Sequence, residues 1–248
     1  MALKEEFEAT GNWFFRWRSY LPLIILPVLL IALRESEYFE RTVSHFAEEL
    51  WEIPCLMLSF VGLIIRSFVV AYTPRGTSRR NTRGQKAEIL NTTGMYSIVR
   101  HPLYLGNFFI FSGVVLFTQV WWFIIFAVLS FWLYYERIMF AEEEFLRKKF
   151  GENFEKWSKK PPAFIPNFKN WNQPDLSFSF KNILKREYTA FFLIILCFGL
   201  LDFTGNIFAE GKFKIDSFWL ISSVIGLVVY VILRTLKKKT NILKVEGR

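Results

Sequence analysis

The chain has 248 residues, of which 52% are hydrophobic, and it contains 29 Phe and 9 Trp. This content is too apolar and too aromatic for an ordinary soluble domain and predicts a membrane protein. The formal net charge of +9 is explained by membrane topology and anionic lipid headgroups, and no nucleic-acid motif accompanies it. Cys55 and Cys197 lie in apolar segments, so we expect buried thiols and neither a disulfide framework nor a metal site.

Six apolar segments are candidates for membrane-spanning helices, which need about 20 mostly apolar residues each. They are residues 20–33, 51–72, 103–117, 120–135, 188–203 and 218–233. The third and fourth are separated by Thr118 and Gln119 alone, which predicts a tight helical hairpin. We expect the first segment to be retained, because charged residues and no small-x-small cleavage site follow it. The predicted fold is all-α, a polytopic integral-membrane helical bundle of about six crossings that forms one membrane domain over residues 1–248.

The charges of the loops predict the orientation of this bundle, since Lys and Arg near membrane ends stay in the cytoplasm. The loop after the first segment is acidic, so we expect it outside. The loop after the second segment, the loop after Tyr135 and the C-terminal tail are net basic. Six crossings with both termini inside satisfy these assignments.

The loop that follows the hairpin begins with a helical pattern. Apolar residues recur every three to five positions from Glu136 to Trp157, which predicts an amphipathic helix that continues the fourth crossing into the cytoplasm. Paired prolines then forbid further helix. We expect the apolar Phe164 and Ile165 that follow to dock back onto the bundle.

A polar cluster lies where a loop enters the third segment and comprises Arg100, His101, Pro102 and Tyr104. Pro102 suits the first turn of a helix, and the free N–H groups there favour anionic ligand groups. Each residue alone also fits an ordinary interfacial anchor. Together they favour a functional site.

Three consecutive glutamates follow the fourth segment. Glu142 lies on the helical stripe of Leu146 and should face the bundle, where a carboxylate needs a cationic or donor partner. The spacing of Glu143 and Arg147, and of Glu144 and Lys148, suits surface ion pairs, and we expect Glu144 to be of this kind. Arg66, near the end of the second segment, is either a buried functional cation or, as we favour, a side chain that snorkels to the interface.

The two blocks together resemble a known family. The pattern G-x-Y-x-x-V-R-H-P-x-Y-x-G, found here as GMYSIVRHPLYLG from Gly94, is followed by E-E-x-x-L-x-x-x-F-G from Glu142. This composite is similar to the isoprenylcysteine carboxyl methyltransferases and their bacterial relatives that methylate phospholipids. The resemblance covers residues 75–166, which would form the methyltransferase motif core.

The resemblance implies S-adenosylmethionine as cofactor, bound in a cytoplasmic pocket, with Glu142, His101 and Arg100 as catalytic residues. The cofactor contacts that it implies are Gln85, Ile89, Leu90, Tyr96, Arg100, His101, Leu103, Tyr104, Glu142 and Glu143. The bound molecule carries a sulfonium, which suits anionic or aromatic surroundings, and a carboxylate, which suits cationic surroundings. Its adenine ring suits apolar surroundings.

The methyl acceptor is predicted from weaker features. Family members that act on isoprenylcysteine have an arginine four residues before the first glutamate, where this chain has Ile138. The sequence GTSRRN before the first block resembles the bacterial lipid A phosphate methyltransferases, and arginine forks suit phosphate oxygens. The substrate-binding candidates are Arg75, Arg79, Arg80, Arg83 and Arg137.

A lipid substrate held in the bilayer is therefore the expected partner, with the phosphate of lipid A as the preferred acceptor. The resemblance to the bacterial branch implies the bacterial cytoplasmic (inner) membrane as the location. An isoprenylcysteine carboxylate and a phospholipid amine are the alternatives. A non-enzymatic membrane transporter, with His101 and Glu142 as a proton relay, is a further alternative.

Overall fold

A computed structural model describes residues 2–40, 45–74, 77, 85–211, 213 and 215–247, with the side chains of 36–40, 45–49, 209 and 210 outside the description. The regular elements within these ranges are helices. The α-helices are α1 (Leu3–Trp17), α2 (Leu26–Glu40), α3 (His45–Tyr72), α4 (Met95–Ile98), α5 (Pro102–Leu116), α6 (Trp121–Phe150), α7 (Glu152–Ser158), α8 (Phe180–Glu210) and α9 (Ser217–Lys239). Short 3-10 turns precede α2 at Leu21–Ile25 and α8 at Phe168–Asn170.

Four of the described helices, α3, α6, α8 and α9, are long and apolar enough to cross a membrane. A fifth span results if α1 and the segment Leu21–Glu35, which meet at an 87° bend, are counted together. The predicted third crossing is the shorter apolar helix α5, whose 15 residues rise about 22 Å and so fall short of a full hydrocarbon layer. The chain is thus a polytopic helical bundle, as predicted.

Helix α5 packs chiefly on α3, although it is joined to α6 by a turn of four residues. Small residues allow this close approach: a Cβ atom at Gly106 would lie 2.8 Å from the Gly62 carbonyl oxygen. In a bilayer, helix association depends on such packing because lipid tails are as apolar as the side chains. Ser59 adds a polar link by donating its hydroxyl to the Ile110 carbonyl at 3.0 Å.

Helix α1 was not among the predicted elements and lies along the C-terminal half of α6. Gly11 makes this possible, since a Cβ atom there would collide with the Arg137 carbonyl oxygen and lie 2.7 Å from the Ala141 Cβ. Lys148 pairs with Glu8, and the Phe7 and Phe140 rings meet edge to face at 5.6 Å. The outer face of the predicted amphipathic helix is therefore covered.

That amphipathic helix is confirmed, with one break. It runs on in α6 to Phe150, stops at Gly151, whose φ of +52° suits glycine, and resumes as α7. The segment after α7 docks as predicted through Phe164, whose ring lies 5.2 Å from Trp132 and 5.7 Å from Phe108. The expectation for Ile165 is wrong, because this side chain is 78% exposed.

Candidate active site

The first sequence block forms a folded platform at the entry to α5. Gly94, with φ of +59°, starts the single turn of α4. Arg100 and His101 donate their backbone N–H groups to the carbonyls of Pro162 and Ala163, at 2.9 and 3.2 Å. Helix α5 then begins at Pro102, as the sequence predicts, with His101 as its N-cap residue. The segment after α7 thus fixes the backbone that carries the candidate site residues Arg100 and His101.

Glu143 joins the two sequence blocks. Its Oε1 atom lies 2.9 Å from His101 Nε2 and 2.9 Å from Arg100 Nε. The Nε2 nitrogen must carry the proton in this bond, since an ionised carboxylate can only accept. Arg100 also donates through Nη1 to the Ser158 carbonyl at 2.8 Å. The spacing of Glu143 and Arg147 suited a surface ion pair, but Glu143 instead contacts the histidine block.

Glu142 faces the bundle interior, as its helical position predicts. The Tyr104 hydroxyl donates to Glu142 Oε2 at 2.9 Å, and His101 Nδ1 lies 3.8 Å from the same oxygen. The rings of His101 and Tyr104 are stacked with centroids 5.7 Å apart. The Glu142 side chain keeps 33% of its surface exposed, so this carboxylate is still accessible to a ligand.

The expectation of a surface ion pair for Glu144 is wrong. This residue is 3% exposed and pairs with Lys4 at 3.0 Å and with Arg147. The reason is α1, which covers this side of α6 and supplies Lys4. Lys148, the partner expected from the spacing, pairs with Glu8 of the same helix α1 instead.

A cavity of about 640 Å³ opens beside these residues, within the size range of small-molecule and cofactor sites. All ten residues that the resemblance assigns to the cofactor line it. They are Gln85, Ile89, Leu90, Tyr96, Arg100, His101, Leu103, Tyr104, Glu142 and Glu143. The three proposed catalytic residues are among them.

Two polar groups in the wall are suited to a ligand. Gln85 has a buried Nε2 atom with no hydrogen-bond partner among the residues that the structure describes, and a buried donor without a partner is costly. Burial, followed by the nearby Glu142 carboxylate, raises the pKa of Tyr96. This phenol therefore stays protonated at neutral pH and can donate a hydrogen bond.

A buried ion pair that sequence reasoning missed also lines the cavity. Arg66 donates to Glu187 from Nε at 2.8 Å and from Nη2 at 3.1 Å, and both residues belong to the wall. The preferred interpretation of Arg66 as a snorkelling side chain is wrong, because a partner on α8 holds it inside the bundle. The hydrophobic stretch of α8 starts at Tyr188, directly after Glu187, so an intramembrane carboxylate could have been suspected there.

Beyond this ion pair the cavity wall becomes apolar. On α5, Ile110 and Val114 continue the face that carries Asn107, and on α8, Ala190 and Ile194 continue the face of Glu187. We call this part, bounded by these four residues and Cys197, the apolar arm. The cavity thus has a polar end at the two sequence blocks and an apolar end within the bundle.

Of the five predicted substrate residues, Arg137 is the one that the structure describes. Arg75, Arg79, Arg80 and Arg83 lie outside the described residues. Arg137 is turned toward α1, with its guanidinium carbon 3.3 Å from the centre of the Phe7 ring, and does not belong to the lining. Its neighbour Ile138 is fully buried in the wall.

The described lining is nonetheless net positive. It holds five Lys or Arg residues and three Glu residues: Arg18, Arg66, Lys86, Arg100 and Arg186 against Glu142, Glu143 and Glu187.

No group of three or more His, Cys, Asp or Glu side chains in the described part of the chain could hold a metal ion.

Comparisons with known proteins identify similar sequences for this region. Residues 52–153 match the family model for phospholipid methyltransferase. Protein-S-isoprenylcysteine O-methyltransferase from Schizosaccharomyces pombe is 33% identical over 133 residues, which are 52% of this chain and 55% of that protein. In this region the chain is therefore similar to phospholipid and isoprenylcysteine methyltransferases.

Two further relatives have names of another kind. The nickel-cobalt-cadmium resistance protein NccN of Alcaligenes xylosoxydans xylosoxydans is 36% identical over 83 residues, 34% of this chain and 38% of its own length. The cobalt-zinc-cadmium resistance protein CzcN of Cupriavidus metallidurans is 35% identical over 83 residues, with the same coverage. The matches thus span 38% to 55% of these relatives' lengths. No solved structure matches the chain.

Proposed function

We propose that this chain, whose residues 52–153 match the phospholipid methyltransferase family, is an integral-membrane S-adenosylmethionine-dependent O-methyltransferase. Its substrate is a lipid-linked anionic oxygen, with the phosphate of lipid A as the preferred acceptor. One observation carries the proposal: the ten residues assigned to the cofactor, spread from Gln85 to Glu143, line a single cavity that continues into an apolar arm.

The residues present fit the cofactor by their chemistry. Glu142 is a partly exposed carboxylate beside the Tyr104 ring, which suits a sulfonium cation or the α-amino group. The Gln85 Nε2 atom, which has no partner among the described residues, supplies a donor, and Ile89, Leu90 and Leu103 supply apolar surface. Arg100 and the N-terminal turn of α5 supply positive charge for a carboxylate.

When bound, S-adenosylmethionine supplies a methyl group on a positive sulfur, and its transfer breaks the S–C bond, forms an O–C bond and leaves a neutral thioether without any proton transfer. The chain's own residues therefore have to bind, orient and exclude water. The His101–Glu143–Arg100 contacts hold the two sequence blocks together for this purpose. Tyr104 fixes the Glu142 carboxylate.

An anionic acceptor is supported by the charge of the lining. The five Lys and Arg residues exceed the three Glu residues, and the bound cofactor adds a further positive charge. Such surroundings attract phosphate or carboxylate and repel an ammonium group, which disfavours a phospholipid amine. The apolar arm suits the hydrocarbon part of a lipid.

An isoprenylcysteine carboxylate is the second candidate acceptor. The observation that favours it is the 33% identity to protein-S-isoprenylcysteine O-methyltransferase. The absence of a cation at position 138, where Ile138 is buried in the cavity wall, counts against it. We therefore prefer a phosphate acceptor. We place the enzyme in the bacterial inner membrane, with the cavity on its cytoplasmic side.

Two measurements test the proposal. Calorimetry of the purified protein with S-adenosylmethionine, in detergent and in lipid bilayers, should show binding at a single site. Mass spectrometry of lipids from cells with and without the gene should show a lipid A species heavier by one methylene equivalent. Lack of cofactor binding in both media would favour the transporter alternative. A shift in another lipid class would retain the enzyme and replace the acceptor.

A further inference from the structure

The side chain of Arg66 lies inside the bundle at the junction of the polar end of the cavity and the apolar arm. It is six residues before the end of α3 at Tyr72, or about 9 Å along the helix axis, and its side chain is 18% exposed. A guanidinium at this depth is costly unless it is paired, and such residues usually face a functional cavity. Arg66 does so, because it belongs to the cavity wall.

The guanidinium is oriented by two partners. Nε and Nη2 donate to Glu187, and Nη1 donates to the Asn107 side-chain oxygen. A guanidinium carries five N–H donors in a fixed plane, so these bonds among the described residues engage three and leave two. Glu187 is 5% exposed. It therefore holds the guanidinium from a buried position and is poorly accessible to a bulky substrate.

The motif glycine Gly106 makes room for this side chain. A Cβ atom at Gly106 would lie 2.6 Å from Arg66 Cγ and 3.3 Å from its Cδ. The stem of Arg66 therefore passes α5 at a residue that has no side chain to obstruct it. This crossing brings the guanidinium from α3 to Asn107, which is the next residue of α5.

A continuous series of contacts links Arg66 to the cofactor residues. Asn107 donates from Nδ2 to the Tyr135 hydroxyl at 3.2 Å. The Tyr135 ring lies 4.9 Å from the Tyr104 ring, and Tyr104 donates to Glu142. On the other side, the apolar arm starts one turn beyond Asn107 on α5, at Ile110, and one turn beyond Glu187 on α8, at Ala190.

We infer that Arg66, positioned by Glu187 and Asn107, binds the anionic group of the methyl acceptor, an inference that rests on the proposed function. A lipid whose hydrocarbon part fills the apolar arm presents its headgroup at this junction, between the arm and Glu142. The two remaining N–H donors can bind two oxygens of one phosphate or carboxylate. Helix α6 offers no cation to this part of the wall, since Ile138 is the residue there and Arg137 lies on Phe7.

The test compares three proteins: wild type, Arg66→Lys, and the double variant Arg66→Met/Glu187→Met. The double variant removes the whole ion pair, so no lone charge is left buried. Arg66→Lys keeps the charge and loses the planar fork. Cofactor binding is measured by calorimetry. Acceptor affinity is measured with S-adenosylhomocysteine present, so that no turnover occurs, and the acceptor KM is measured with S-adenosylmethionine.

The acceptor probes, each in detergent micelles, are bis-phosphorylated lipid A, N-acetyl-S-farnesylcysteine and phosphatidylethanolamine. Dephosphorylated lipid A is the matched control without the anion. The first two probes distinguish a phosphate from a carboxylate as the group that Arg66 binds. The inference predicts that Arg66→Lys and the double variant bind S-adenosylmethionine within about threefold of wild type, because Arg66 is not among the cofactor residues. For Arg66→Lys, the Kd and the KM of the acceptor should each rise by about 10-fold. For the double variant, both should rise by about 30-fold or more, which corresponds to lost charge-assisted hydrogen bonds.

Each outcome decides between the two claims. An unchanged acceptor Kd in a double variant that still binds the cofactor overturns the role of Arg66 and leaves the proposed function intact. If the double variant does not fold, Arg66→Lys decides on the same criterion. A wild-type protein that binds no S-adenosylmethionine, or that methylates none of the three probes, overturns the proposed function and this inference with it.

Discussion

Glu142 and Glu144 show how two carboxylates on one helix acquire different roles from their surroundings. Glu142 lies in the cavity wall, with the Tyr104 hydroxyl as its donor. Glu144, half a turn away, is buried beneath α1 and pairs with Lys4 and Arg147. The first carboxylate is open to a cationic ligand, and the charge of the second is already neutralised by the protein.

Glu142→Gln should weaken S-adenosylmethionine binding by about 10- to 100-fold, the equivalent of about 1.5–3 kcal/mol for a hydrogen bond to a charged group. Methyl transfer should be abolished, and we expect the same loss of transfer for His101→Ala. Glu144→Gln is the matched control, because it removes the same charge outside the cavity. Calorimetry and a radiolabelled methyl-transfer assay check this, and near wild-type activity in both site variants would show that the site is elsewhere.

The residue scale also shows how far sequence reasoning reaches. Helical spacing predicts the face on which Glu142 lies, a motif groups His101 with Tyr104, and the structure brings all three to the wall of one cavity. The Arg66–Glu187 pair joins residues 121 positions apart, and no local pattern indicates which α8 residue meets α3. The environment of Glu144 could not be predicted for the same reason, since its partner Lys4 belongs to a helix that is remote in sequence.

At the scale of elements, the contact of α3 with α5 places Arg66 in the cavity. The contact depends on the absence of side chains at Gly62, Gly106 and Gly113. At Gly113 a Cβ atom would lie 3.0 Å from the Ser59 backbone nitrogen, and at Gly106 it would approach both Arg66 and the Gly62 carbonyl. These positions therefore set the distance between the helices.

Gly106→Ala should destabilise the protein by about 1–3 kcal/mol, the usual cost of overpacking, and lower Tm in detergent by about 3–8 °C. Gly226→Ala in α9 is the control, because its Cβ atom would have contacts of 3.4 Å and longer, which is ordinary van der Waals packing. Thermal unfolding followed by tryptophan fluorescence measures both. Equal Tm values for the two variants would contradict the close approach of α3 and α5.

Apolar length and periodicity predict the elements that face lipid, such as α3, α8 and α9, and the extension of α6. They do not predict α1, since residues 3–17 are too polar for a crossing and their sequence does not show which helix they pack against. Its stability depends on its packing against α6, where Gly11 meets Arg137 and Ala141. Tertiary contacts of this kind are not encoded in any local pattern.

At the scale of the whole molecule, the predicted site residues lie at one end of the bundle. The ends of α3 and α6 and the starts of α5 and α8 meet at the cavity. The end of α9 lies at the same level, because Lys237 Nζ is 5.1 Å from the centre of the Tyr188 ring. At the opposite end, Trp51 donates to the Leu116 carbonyl at 3.0 Å, and the Asp216 backbone donates to Asp202. The basic tail and the cavity therefore share one side.

This arrangement predicts the orientation in the membrane. Lys237, Lys238 and Lys239 end α9 on the cavity side, and the positive-inside rule keeps such clusters in the cytoplasm. A fluorescent protein fused after Arg248 should therefore fluoresce in a bacterial host, and alkaline phosphatase fused after Gly211, between α8 and α9, should be active. Phosphatase fused after Asn172, beside the cavity, serves as the control and should be inactive. Active phosphatase at Asn172 together with inactive phosphatase at Gly211 would show that the bundle has the opposite orientation. The cavity would then face away from the cytoplasmic pool of S-adenosylmethionine on which the proposed reaction depends.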